Sequence, residues 1–138
     1  MSRSALFLAA VGMSVLTGCA GASTPAADLD ACGPLPTADP AASLPEGLPA
    51  REQVLYEPST QGKTVIVFGL IAADDFVEVR DDYVDKLTKA GWTIDGTDQE
   101  SVEAEAQFSK KTPRLVAGTI KVQPLCKGYL TVRYRLSL

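Results

Sequence analysis

Hydrophobic and polar positions change their period several times along this 138-residue chain. Ala5–Leu16 is an apolar run of about a dozen residues, the length of a signal-peptide core and too short to span a bilayer. Residues 20–50 show no period. From Arg51 the pattern sharpens. Gln53–Glu57 predicts a short strand and Pro58–Gly62 a turn. Lys63–Ala72 (KTVIVFGLIA) is β-branched and almost unbroken in its apolar character, as expected of an interior strand. Asp75 then has the form of a helix N-cap, with Glu78 three residues on to complete a capping box. Phe76, Val79, Tyr83, Val84, Leu87 and Ala90 fall on one helical face. Arg80, Asp81, Asp82, Asp85, Lys86 and Lys89 fall mostly on the other. Gly91 at C′ would close the helix, packing Trp92 against Leu87 in a Schellman motif.

After the helix the period becomes two. Trp92–Asp95 predicts a short strand and Asp95-Gly96 a turn. Val102, Ala104, Ala106 and Phe108 alternate with Glu103, Glu105 and Gln107. A loop at Pro113 follows. Val116, Gly118, Ile120 and Val122 alternate with Ala117, Thr119 and Lys121, and Cys126-Lys127-Gly128 makes the next turn. Leu130, Val132, Tyr134, Leu136 and Leu138 alternate with Thr131, Arg133, Arg135 and Ser137. Three such strands predict an antiparallel meander with one buried and one wet face, and the helix is the natural cover for the buried one. The expected fold is α+β, a single antiparallel sheet in the order β-β-α-β-β-β-β covered on one face by one helix.

The apolar start ends on Leu16-Thr17-Gly18-Cys19, behind a short basic opening with Arg3. This resembles the bacterial lipoprotein signal, whose lipobox has an aliphatic residue, a small one, Gly or Ala, and then Cys. The resemblance implies cleavage after residue 18 and lipidation of Cys19. It also implies a protein held by its acyl chains on the extracytoplasmic face of the cell membrane. Two chains suit stable anchoring where one does not. Export makes Cys32 and Cys126 an even pair in an oxidising compartment, which predicts a disulfide. Residues 19–50 read as a tether holding six of the nine prolines and no lysine. A Cys32–Cys126 bridge would leave only about residues 20–30 free and strap 32–50 across the domain, which spans 51–138.

The segment YVDKLTKAGWTI, followed by short alternating strands, resembles small exported and lipid-anchored proteins of actinobacteria. In these a helix ending in L-x-x-A-G-W leads into a β-meander. Here that motif is Leu87 to Trp92. The resemblance supports the fold and an envelope location; it supplies no activity.

Composition narrows the function. Without residues 1–18 the chain keeps 12 Lys and Arg against 17 Asp and Glu, which argues against nucleic acid or anionic lipid headgroups as partners. There is no histidine, the commonest general base and transition-metal ligand. Asp74, Asp75, Asp81, Asp82, Asp85, Asp95, Asp98 and Glu100 lack the spacing of a calcium loop and read as solvated surface. No activated nucleophile or phosphate loop is present, so no enzyme, cofactor or metal is expected. On the wet face, Glu103, Glu105 and Gln107 on one strand would meet Arg133, Arg135 and Tyr129 on another. The plainer reading is mutual cross-strand pairing. The functional one is a docking surface for another envelope protein. A non-enzymatic interaction module is the leading expectation. The alternative is a carrier of an apolar ligand or lipid between helix and sheet, where Gly69, Ala104, Ala106 and Gly118 are small.

Overall fold

The computed structural model describes residues 29–37, 44, 47–49, 54–55, 59–111 and 116–137. The expected signal peptide, the expected lipobox with Cys19, much of the expected tether, the Pro113 segment and Leu138 lie outside these residues. The elements are β1 (Val54–Leu55), β2 (Ser59–Gln61), β3 (Thr64–Ala72), α1 (Phe76–Lys89), β4 (Thr93–Gln99), β5 (Ala104–Lys110), β6 (Val116–Cys126) and β7 (Tyr129–Ser137). All strands join one antiparallel sheet in the order β1-β3-β7-β6-β5-β4. β2 also pairs β3, on the edge that β1 occupies, because β7 fills the other edge. The fold is thus α+β, one sheet and one helix, as the periodicity predicts. From β3 the chain passes through α1 to the far edge and returns as the meander β4–β7, laying its last strand beside β3.

Local chemistry sets the helix ends. The Asp75 Oδ1 accepts hydrogen bonds from the Val77 and Glu78 amides at 2.8 and 3.0 Å, satisfying two of the free N–H groups of the first turn. At the other end the Trp92 amide donates to the Leu87 carbonyl and the Gly91 amide to that of Thr88, both at 3.0 Å. With Gly91 at φ +79° this is the Schellman closure the sequence predicts. Phe76, Val79, Tyr83 and Leu87 are buried against β4, β5 and β6. Each such side chain contributes about 1.5–3 kcal/mol by leaving water. Two edge-to-face aromatic pairs lock the interior: Tyr83 on Tyr134 with centroids 5.8 Å apart, and Trp92 on Phe108 at 5.2 Å.

The strap completes the cover. Leu44 and Leu48 pack against the core, the Gly47 carbonyl accepts the Trp92 indole N–H at 2.8 Å, and the Pro49 carbonyl accepts the Tyr134 hydroxyl at 3.4 Å. Both aromatic residues thereby find the partner that a buried N–H or O–H requires. Cys32 and Cys126 lie at disulfide distance, Cα to Cα 5.2 Å.

Several expectations are corrected. Ser59–Gln61 is a strand rather than part of a turn, so the sheet has one strand more than predicted; the reversal is confined to Gly62 and Lys63. Asp95-Gly96 is not a turn. It lies inside β4, where the register shifts between Ile94 and Gly96 as a β-bulge, and the turn falls instead where the Glu100 amide donates to the Glu103 carbonyl at 2.9 Å. Val102 therefore sits in that turn and is 54% exposed, not in the core. Arg80 is buried rather than on the solvent face. Its Nη1 donates to the Asp98 carbonyl at 3.0 Å and its Nε to the Asp81 carboxylate at 2.6 Å. Val84 is half-buried and Ala90 exposed.

Candidate functional site

The antiparallel register aligns the outward-facing residues into rows across the sheet. One row reads Phe68, Arg133, Lys121, Glu105, Asp98 on β3, β7, β6, β5 and β4. The next reads Ile66, Arg135, Thr119, Gln107, Gly96. The wet face is therefore polarised, apolar and cationic toward β3 and acidic toward β4. The nominated residues Glu103, Glu105, Gln107, Arg133 and Arg135 do share this face, with Glu103 immediately before β5.

They do not pair with one another as expected, because β6 lies between the acidic and the basic strand. Lys121 on β6 takes both carboxylates: it bonds the Glu103 Oε1 and reaches the Glu105 Oε2 at 3.5 Å. The Gln123 amide donates to the second Glu103 oxygen at 2.7 Å. The hydrogen bond to Glu103 is the main cause that holds the Lys121 pKa above its ordinary 10.5, with burial opposing it and the charges of Glu103 and Glu105 adding to it. A pKa raised in the folded state stabilises fully below the unfolded value. Lys121 should thus contribute constantly below pH 10.5, and its contribution should fall as pH rises through the higher folded value. Urea unfolding across pH 9–12 checks this. Lys121→Met should flatten the alkaline limb, and an unchanged limb would remove the role assigned to the lysine.

Arg133 and Arg135 are left over. Neither has an ion pair among the described residues. Phe68, opposite Arg133, is 42% exposed. The continuous apolar pattern of β3 predicts burial on both faces; on the outward face only Leu70 is buried.

Among the described residues, two hollows open on this side of the sheet, and no helix residue lines either. One of about 280 Å³ lies between Arg135, Thr119, Gln107, Ser137 and Asp95. The other, about 200 Å³, lies between Asp98, Glu100, Glu103, Glu105 and Lys121. No group of three or more His, Cys, Asp or Glu among the described residues is arranged to hold a metal ion. At Gly118 on β6 the strands pack closely. A Cβ added there would stand 2.7 Å from both Leu136 and Phe108.

Phe68 and Lys121 were not singled out from sequence. Alternation places Lys121 outward, but its central role needs the strand order. Phe68 gains its place only from the pairing of β3 with β7, which sets its ring opposite Arg133. Compared with protein-family models, with curated proteins and with solved structures, the chain matches none.

Proposed function

We propose that this chain is an exported lipoprotein, anchored through Cys19 on the outer face of the cell membrane, that acts without catalysis by docking another envelope protein on its outward sheet face. The anchor rests on the LTGC sequence behind a short apolar run, and on a second and third cysteine that lie at disulfide distance, as suits an oxidising compartment. The docking reading rests on one observation. Beside the exposed ring of Phe68, Arg133 and Arg135 have no ion pair among the described residues, while the adjacent Lys121 is held by two carboxylates. Free guanidinium groups next to an exposed aromatic ring are the residue types that anchor protein interfaces. The complementary partner presents carboxylates around an apolar residue.

The double substitution Arg133→Glu, Arg135→Glu tests this. Both side chains are exposed and have no ion pair among the described residues, so the melting temperature should stay within about 3 °C of the parent. A protein that co-purifies with the parent after mild detergent extraction should be lost. Full retention of that protein would sink the assignment of this face, and a co-purifying small molecule in its place would favour a ligand carrier.

A further inference from the structure

The two cysteines do more than bind the strap to the domain, since they decide where the anchor pulls. The chain enters the described structure at one end of the sheet. There the Lys127 amide donates to the Asp30 carbonyl at 3.0 Å, and Cys32 meets Cys126, both at the β6–β7 turn. From Cys19 to Asp30 is a short stretch, at most about 40 Å at full extension. Without the tie, the next described contact with the core would be Leu44, and the maximum reach would about double.

The same end carries two of the three large apolar side chains that are exposed among the described residues, Val102 and Leu125. Val102 is at the tip of the β4–β5 hairpin. Leu125, 47% exposed, is the residue left out of register between Pro124 and Cys126, so the bulge pushes it out of the β6–β7 ladder at the point where the tether arrives. Neither hairpin tip meets the strap or the helix in a way that buries these side chains. The third, Phe68, lies mid-strand on the outward face.

Resting on the lipid anchor proposed above, we infer that the β4–β5 and β6–β7 hairpin tips face the bilayer and that Val102 and Leu125 enter its interface. Acidic Asp30, Asp74 and Glu100 outnumber Lys127 at this end, so the contact is apolar and shallow and does not depend on anionic headgroups. Two side chains cannot hold a domain to a membrane alone; the short tether keeps their local concentration high. The strands then stand upright, with the β2–β3 turn at Gly62 distal. The outward face is presented edge-on to the membrane, open to a neighbour anchored in the same plane.

Tryptophan quenching by lipid tests the orientation. The lipidated chain, reconstituted in phosphatidylcholine vesicles containing brominated acyl chains, carries Val102→Trp, Leu125→Trp or Lys63→Trp in turn. All three sites are exposed, and the parent's buried Trp92 supplies the baseline. The tryptophans at 102 and 125 should lose half or more of their emission, and the one at 63 no more than the parent. Adding Cys32→Ser and Cys126→Ser to the Leu125→Trp chain should cut its quenching at least twofold. Equal quenching at all three sites, or none at 102 and 125 in a chain whose mass shows the acyl group, overturns the orientation. So does a blue shift at 102 and 125 that follows protein concentration rather than lipid, which would seat a second copy there. A chain whose mass lacks the acyl group removes the anchor itself, a failure that the mass alone identifies.

Discussion

Cys126→Ser lowers the unfolding free energy by about 2–3 kcal/mol, and the midpoint of thermal unfolding by roughly 10–20 °C for a domain of this size. The bridge would close a loop with a sequence separation of 94, for which the chain-entropy model gives up to about 4.7 kcal/mol. The expected value is smaller because the strap is held independently further along. Leu44, Leu48 and the hydrogen bonds from Trp92 and Tyr134 to the Gly47 and Pro49 carbonyls persist without the cysteines. The unbridged native state therefore recovers conformational freedom upstream of Leu44, which offsets part of the freedom regained by the unfolded chain. Cys32→Ser should match Cys126→Ser, and the double substitution should add nothing. A melting temperature within about 2 °C of the parent would mean that the two sulfurs, though close, are not bonded or that the bridge constrains nothing.

Gly118→Ala should destabilise by about 2–3 kcal/mol, at the upper end of the overpacking range. The added Cβ would lie 2.7 Å from the Leu136 Cδ2 and the Phe108 Cζ, and 2.9 Å from the Arg135 carbonyl oxygen. The two side chains are fully buried and have little room to turn. The carbonyl belongs to the strand paired with β6, so retreating from the methyl group means distorting that ladder. Phe108 also carries the edge-to-face contact with Trp92, so the strain should spread to the indole and to its hydrogen bond with Gly47. Urea unfolding measures the free energy, and Trp92 fluorescence reports the displacement. A loss below about 0.5 kcal/mol would show that the layer between β5 and β7 is looser than these distances allow.

What was legible in the sequence is what neighbours along the chain decide. Asp75 caps a helix because its carboxylate reaches amides two and three residues away, and Gly91 ends it because the left-handed conformation is needed there. Alternation in β5, β6 and β7 identified the buried face because the period of a strand is two whatever its partner. The errors come from distant partners. Arg80 looks like a surface residue until β4 brings the Asp98 carbonyl to it from 18 positions away. Asp95-Gly96 has the composition of a turn, but the pairing of β4 with β5 continues through it and absorbs the extra residue as a bulge.

The candidate site shows the same division. Alternation set Glu105, Gln107, Arg133 and Arg135 on one face. It did not show that β6 separates the acids from the arginines, and so did not show which charges are satisfied. Only the strand order makes Lys121 the hub and leaves Arg133 and Arg135 without an ion pair among the described residues. Hydrophobic patterning cannot supply that order, since it reports which face a residue takes and not which strand lies beside it.

The proposed anchor underlies both the proposed docking surface and its proposed orientation, so the most direct measurement is native mass spectrometry on the protein gently extracted from its own membrane. The expected species begins at Cys19, carries acyl chains on that residue, is lighter by two hydrogens for a Cys32–Cys126 bond, and retains a second protein. A chain that keeps residues 1–18, or that begins beyond Cys19 without acyl mass, would contradict a lipid-anchored module.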